Sequence, residues 1–154
     1  MKSRTILASV AAFFAGVALC LAADPNMGTW KLNEGKSKFS AGATKNHTVV
    51  YAPAGDMVKV TVDGTDKDGK AVHNVWTGKF DGKDYPVTGE QAYDSRSYTK
   101  VDDNNMNMTL KKGGAVVGHG TIVISADGKS RTVTTMATDA KMTSMNNMAF
   151  YDKQ

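Results

Sequence analysis

The chain has 154 residues, of which 41% are hydrophobic and 22% are charged, and its formal net charge is +4. This length suits one domain with a single sizeable core. Because the two signs of charge are interspersed and the longest basic run is the pair Lys111-Lys112, we expect neither a nucleic-acid partner nor an anionic membrane surface.

Residues 1–23 have the organisation of a secretory signal peptide. A basic start is followed by an apolar run over 6–21 and by the small residues Ala22 and Ala23. The run is short for a membrane helix of ~20 residues, which is the alternative. We therefore predict an exported protein, periplasmic or extracellular, with no stable membrane insertion after cleavage.

Cleavage would leave a single mature domain over 24–154. Its net charge falls to +2 because Lys2 and Arg4 leave with the signal peptide, and it contains no thiol because Cys20 leaves as well. Neither disulfide bonds nor cysteine catalysis are then available to the mature protein.

Alternation of apolar and polar residues dominates the mature sequence. In MVKVTVDG, Val58, Val60 and Val62 share one face while polar residues take the other, which is the pattern of a half-buried strand. No segment has a convincing helical period. The alternation predicts ten strands, over 27–33, 46–52, 57–65, 71–80, 84–89, 94–101, 106–112, 115–125, 130–138 and 145–152.

Hairpin turns separate these strands at regular intervals. Asp-Gly-Lys occurs at 68–70, 81–83 and 127–129, and glycine accepts the positive φ that tight hairpins require. A series of hairpins leaves two open edges unless the sheet closes on itself. We therefore predict an all-β, antiparallel up-and-down barrel of about eight to ten strands, with a two-sheet sandwich as the alternative.

The segment Gly28-Thr29-Trp30-Lys31-Leu32 resembles the Gly-x-Trp signature on the first strand of the calycins, a group of barrels that comprises the lipocalins and the fatty-acid-binding proteins. The whole mature chain also resembles small exported bacterial lipocalin-like proteins of uncharacterised function. That second resemblance is carried by GTWKLN, FDGKDYPVTG, DGKSRTVTT and NNMAFYDKQ.

The calycin resemblance implies a structural role for the signature tryptophan. In that family the ring closes one end of the barrel and a basic residue from a late strand lies across it, an arrangement that contributes ~0.5–2 kcal/mol. The matching residues here are Trp30 and Arg131. The segment 34–45 is too short for the helical pair of fatty-acid-binding proteins, and both their C-terminal Arg-x-Tyr clamp and the lipocalin Thr-Asp-x-Arg motif are absent. Binding of fatty acids or retinoids is therefore not inferred.

The predicted barrel interior is the candidate ligand site. We predict a non-catalytic carrier or sequestration protein for a small hydrophobic molecule, with a structural or interaction barrel of filled core as an alternative. His119 is included because it is in phase with Val117, Thr121 and Val123. The candidate ligand-binding residues are Tyr51, Val60, Trp76, Phe80, Tyr98, Met108 and His119.

Three regularly spaced methionines suggest a different function. Met142, Met145 and Met148 carry soft thioether groups suited to Cu(I) or Ag(I). Residues three apart in a strand point to opposite faces, so the sulfur atoms converge only if residues 142–146 form a loop. A periplasmic Cu(I)- or Ag(I)-binding protein is the second functional alternative.

Catalytic and cofactor motifs are not found. The sequence contains no Gly-x-Ser-x-Gly elbow, phosphate loop or H-E-x-x-H, and its only glutamates are Glu34 and Glu90. His47, His73 and His119 show no short ligand spacing. We therefore expect neither an enzyme nor a bound cofactor.

Overall fold

The computed structural model describes residues 24–138 and 144–154, so the predicted signal peptide over 1–23 lies outside the described residues. The described residues form one short 3-10 turn, Glu34–Lys36, and ten strands. The strands are β1 (Gly28–Leu32), β2 (Lys45–Ala54), β3 (Met57–Thr65), β4 (Ala71–Gly78), β5 (Tyr85–Thr88), β6 (Ser95–Lys100), β7 (Asn105–Lys112), β8 (Ala115–Ile124), β9 (Ser130–Thr138) and β10 (Ser144–Lys153).

The ten strands form a closed antiparallel barrel in which each strand pairs with the next along the chain. Closure is made by β1 against β10, where Trp30 pairs with Lys153 and Leu32 with Tyr151. The predicted fold class is confirmed, and the sandwich alternative is wrong. Each strand begins and ends within two residues of its predicted bounds.

The up-and-down order gives the barrel two different ends. One end carries the turns β2–β3, β6–β7 and β8–β9 together with the N-terminal segment 24–27, and we call it the closed end. The other carries the turns β3–β4 and β7–β8 and the β5–β6 connection, and we call it the open end. In the described parts of the chain, no helix is both long and apolar enough to cross a membrane.

Aromatic side chains fill the closed half of the barrel. The rings of Trp76 and Phe80 are stacked, with centroids 6.2 Å apart, and Tyr98 meets Trp76 edge-on at 4.8 Å. Trp76 is fully buried, and its Nε1 donates a hydrogen bond of 2.9 Å to the Arg96 carbonyl oxygen. Such aromatic pairs stabilise a core beyond the area they bury. Any ligand must therefore enter from the open end.

Candidate functional site

The closed end is sealed by the indole of Trp30. This side chain has no solvent exposure, and its Nε1 donates a 2.9 Å hydrogen bond to the carbonyl oxygen of Asn26 in the segment before β1. The guanidinium carbon of Arg131 lies 4.6 Å from the indole centroid. Trp30 on β1 and Arg131 on β9 thus make the contact that the calycin resemblance implied.

Arg131 lies in a box of aromatic rings. Its guanidinium carbon is 4.9 Å from the Tyr51 ring and 5.0 Å from the Tyr151 ring, and the residue is only 2% exposed. Burial raises the pKa of Tyr151 to about 12, although Arg131 acts in the opposite direction. The Tyr151 phenol is therefore neutral at pH 7, and it donates a hydrogen bond to the Asn46 carbonyl oxygen. This phenol does not neutralise the charge of Arg131.

A cavity of about 210 Å³ lies inside the barrel, between the β5–β6 connection at the open end and Arg131 beside the Trp30 seal. Its wall combines aliphatic, aromatic and polar side chains from seven of the ten strands and from the β5–β6 connection. The main apolar lining residues are Val49, Val62, Met108, Leu110, Ile122 and Val133, and the main polar ones are Tyr51, Tyr93, Arg96, Tyr98, Arg131 and Thr135. Thr44, Asn46, Glu90 and Asn147 also border it.

Arg96 is the buried cation in the cavity wall. It is 4% exposed, and its guanidinium donates hydrogen bonds to the hydroxyl oxygens of Tyr98, at 3.0 Å, and Tyr93, and to Asn74 Oδ1 at 3.4 Å. Burial disfavours the charged guanidinium and would by itself lower the pKa of Arg96. Electrostatic interactions with Tyr98 and Tyr93 and the hydrogen bond to Tyr98 outweigh burial, so the pKa of Arg96 lies above its ordinary value. The side chain is therefore a permanent positive charge inside the barrel.

Neither buried arginine has an acidic partner within residues 24–138 and 144–154. All ion pairs found there involve lysine or histidine side chains. Glu90 borders the cavity, but its Oε1 accepts hydrogen bonds from the backbone amides of Gln91 and Ala92 at 2.8 and 3.0 Å. Arg96 Nε and two nitrogens of Arg131, Nε and Nη1, have no hydrogen-bond acceptor in the described structure. Both arginines line the cavity, so its wall carries positive charge that no described carboxylate compensates.

The predicted ligand-binding residues divide between the cavity and the filled core. Tyr51, Tyr98 and Met108 line the cavity. Val60 and Trp76 are fully buried and do not border it. Phe80 is likewise absent from the lining, because it packs against Trp76 and Tyr98 below the cavity floor.

The prediction that His119 faces the interior is wrong. On β8 the buried residues are Gly118, Gly120, Ile122 and Ile124, so His119 points outward with the exposed residues between them. At Gly120 a Cβ would be crowded, because it would lie 2.6 Å from Met108 Cε and 3.0 Å from the Thr134 carbonyl oxygen. His119 instead borders a surface groove of about 390 Å³ on the outer wall.

The methionine spacing does not form a metal site in the described strands. Met145 and Met148 both lie on β10, three residues apart in a continuous register, so their side chains leave opposite faces of the sheet. Met142, the third predicted ligand, lies outside the described residues. The loop required for convergence of all three sulfur atoms is excluded for residues 144–146, which are already paired with β9.

Other polar groups lie on the outer surface. His73 Nδ1 and Asp63 Oδ1 are 2.6 Å apart on an exposed part of the wall. A depression of about 550 Å³, partly lined by Glu34 and Lys67, is found outside the barrel near the open end. Within the described ranges, no three His, Cys, Asp or Glu residues are placed to hold a metal ion.

Arg96 is the functional candidate that sequence reasoning missed. Buried arginines are rare, and the polar run Ser95-Arg96-Ser97-Tyr98 is typical of a strand that faces solvent. The available signal was spacing: Arg96 and Tyr98 are two residues apart, so on a strand they share one face. Tyr98 was already predicted to face inward, and the same phase places Arg96 beside it.

The fold and site define a closed ten-stranded up-and-down barrel with one plugged end, one open end and a polar-anchored cavity. No protein-family model matches the chain, and no curated protein does. Among solved structures, it is similar to a redesigned β-barrel, mFAP1, bound to DFHBI, with 14% identity over 86% of this chain and 98% of that one and a TM-score of 0.48. The DFHBI-bound EF1p2_mFAP2b has 12% identity over 86% and 97%, with a TM-score of 0.51. The EF1p2_mFAP2b match supports the barrel fold.

Proposed function

We propose that this protein is an exported carrier or sequestration protein that binds one small, largely apolar molecule inside the barrel without chemical conversion. The observation that carries the proposal is the cavity of about 210 Å³ beyond the Trp30 seal, lined by side chains from most of the barrel. The barrel of similar fold in EF1p2_mFAP2b was solved bound to the small molecule DFHBI. Export rests on the signal-peptide pattern of residues 1–23.

The cavity size limits the ligand class. An apolar cavity of ~150 Å³ accommodates benzene, so about 210 Å³ accommodates one substituted ring or a short branched chain. Longer molecules would have to extend through the open end. The aliphatic wall contributes burial of the ligand's apolar body, and the polar groups fix its orientation.

Replacing Thr135 by tryptophan is expected to abolish binding of a neutral single-ring probe. Thr135 lines the cavity on β9, and an indole in its place would occupy most of the available volume. The probe is cinnamamide, with about eleven non-hydrogen atoms, and the measurement is isothermal titration calorimetry. We expect the affinity to fall at least about tenfold, because the ligand's apolar contacts are replaced by the indole.

Thr134→Trp is the matched control. Thr134 is the next residue on the same strand, but it is exposed and borders the outer groove. Its replacement should leave the affinity unchanged. If Thr134→Trp abolishes binding while Thr135→Trp does not, the ligand occupies the outer groove and the proposal is wrong.

A further inference from the structure

The hydrogen-bonding groups around the cavity are strongly unbalanced toward donors. The guanidinium of Arg96 is anchored to the hydroxyl oxygens of Tyr98 and Tyr93. Because these oxygens accept from the guanidinium, the O–H proton of Tyr93 remains available to donate, while the Tyr98 hydroxyl is also hydrogen-bonded with the Tyr51 side chain. Arg96 Nε and the Arg131 atoms Nε and Nη1 are buried donors without acceptors. These three nitrogens have almost no accessible surface, so a ligand in the cavity would meet the tyrosine hydroxyls and the guanidinium charges instead. The group that complements them is one rich in acceptors.

The charge balance points in the same direction. A buried guanidinium loses most of its hydration, and this loss is normally compensated by a carboxylate. Arg96 and Arg131, at 4% and 2% exposure, border one cavity, and no described carboxylate pairs with either of them. Aromatic faces partly stabilise the cations: Arg96 lies 5.2 Å from the Tyr93 ring centroid. Neutral rings offer no net negative charge.

We propose that the ligand of this cavity is a small organic anion, an aromatic or short-chain carboxylate, whose oxygens accept hydrogen bonds from Arg96, Tyr93 and Tyr98 while its apolar body packs on the aliphatic wall. This inference rests on the proposed binding function and specifies its ligand class. Charge-assisted hydrogen bonds to a guanidinium are roughly twice as strong as neutral ones. A carboxylate is thus selected over a neutral compound of the same shape.

The Glu90 carboxylate does not replace the ligand in this structure. Its Oε1 is held by two backbone amides of its own loop. The residue lies in the β5–β6 connection at the open end, together with Tyr93. It therefore adds a negative charge beside the entrance, while the cations lie deeper in the barrel.

The test compares cinnamate with cinnamamide, two probes of the same shape that differ in charge, by calorimetry at pH 7. The wild-type protein is expected to bind cinnamate at least about tenfold more tightly. In Arg96→Gln, the ratio should fall below about threefold, because the charge-assisted bonds are lost. Lys59→Gln removes one positive charge from an exposed position on β3 and should keep the wild-type ratio.

Each outcome separates the two proposals. Equal affinities of the wild-type protein for both probes, or an unchanged ratio in Arg96→Gln, would overturn the anion inference alone. If neither probe binds, the proposed function fails as well. If Arg96→Gln does not fold, Tyr93→Phe supplies the second variant: it removes one donor from the rim and should reduce the ratio about threefold, whereas an unchanged ratio would count against the inference.

Discussion

Replacing Trp30 by alanine should lower the free energy of unfolding by about 3–5 kcal/mol. The indole is completely buried at the junction of β1 with β10 and β2, so its removal leaves a large cavity in the closed end. The change also removes the hydrogen bond to the Asn26 carbonyl oxygen and the ring that faces Arg131. Chemical denaturation followed by circular dichroism measures the change.

Trp30→Phe is the matched control for this prediction. It retains an aromatic face near the Arg131 guanidinium but removes the indole N–H and part of the buried area. We expect a loss of about 1–2 kcal/mol, because one hydrogen bond and a smaller apolar volume are removed. A Trp30→Ala protein within about 1 kcal/mol of the wild type would contradict the assigned role, because full burial of a tryptophan makes a larger contribution.

Replacing Gly89 by alanine should destabilise the barrel by about 3 kcal/mol. Gly89 follows β5 with a φ of +82°, and a Cβ there would lie 2.2 Å from the His73 carbonyl oxygen on β4. The left-handed backbone costs ~1–2 kcal/mol for a residue with a side chain, and the forced displacement adds ~1–3 kcal/mol. Because β4 and β5 share only two paired positions, the wall has little other support there.

Gly69→Ala separates these two contributions. Gly69 has a nearly identical φ of +77°, but no atom lies within 4 Å of the position that a Cβ would take. Only the backbone strain applies, so the expected loss is about 1 kcal/mol. Denaturation midpoints of the two variants provide the comparison. Equal losses would show that the β5–β6 connection does not pack tightly on β4.

The strand positions were predictable because strands and turns leave short-range signals. A half-buried strand requires alternation, as at Val58, Val60 and Val62, and each tight hairpin requires a residue that tolerates positive φ. Gly69, Gly82 and Gly128, all from the Asp-Gly-Lys turns, have φ between 68° and 79°. Both requirements are local, so a single sequence records them.

The direction in which β8 faces was not predictable from its own apolar residues. Val123 is 48% exposed although its neighbour Ile122 is 2% exposed, so hydrophobicity favours neither face of this strand. At the inward position Gly120 a Cβ would be crowded by Met108 Cε and by the Thr134 carbonyl oxygen on the neighbouring strands. Such contacts depend on the barrel register, and a β-bulge between Leu110 and Lys111 changes that register locally.

The division of the interior into a filled half and a cavity also depends on tertiary packing. Trp76, Phe80 and Tyr98 were all predicted to line one space, but their rings pack on one another at the closed end. Only Tyr98 reaches the cavity as well. Ring packing of this kind is decided by side-chain geometry across strands, which alternation does not record.

The most direct test of the central claim is to locate a bound carboxylate relative to the barrel wall by NMR. Intermolecular nuclear Overhauser effects would be measured between the ring protons of cinnamate and the methyl groups of the protein. Binding inside the barrel predicts contacts with Val62, Leu110 and Ile122, which line the cavity. Contacts confined to Val123 and Met136, which are exposed on the outer wall, would contradict it.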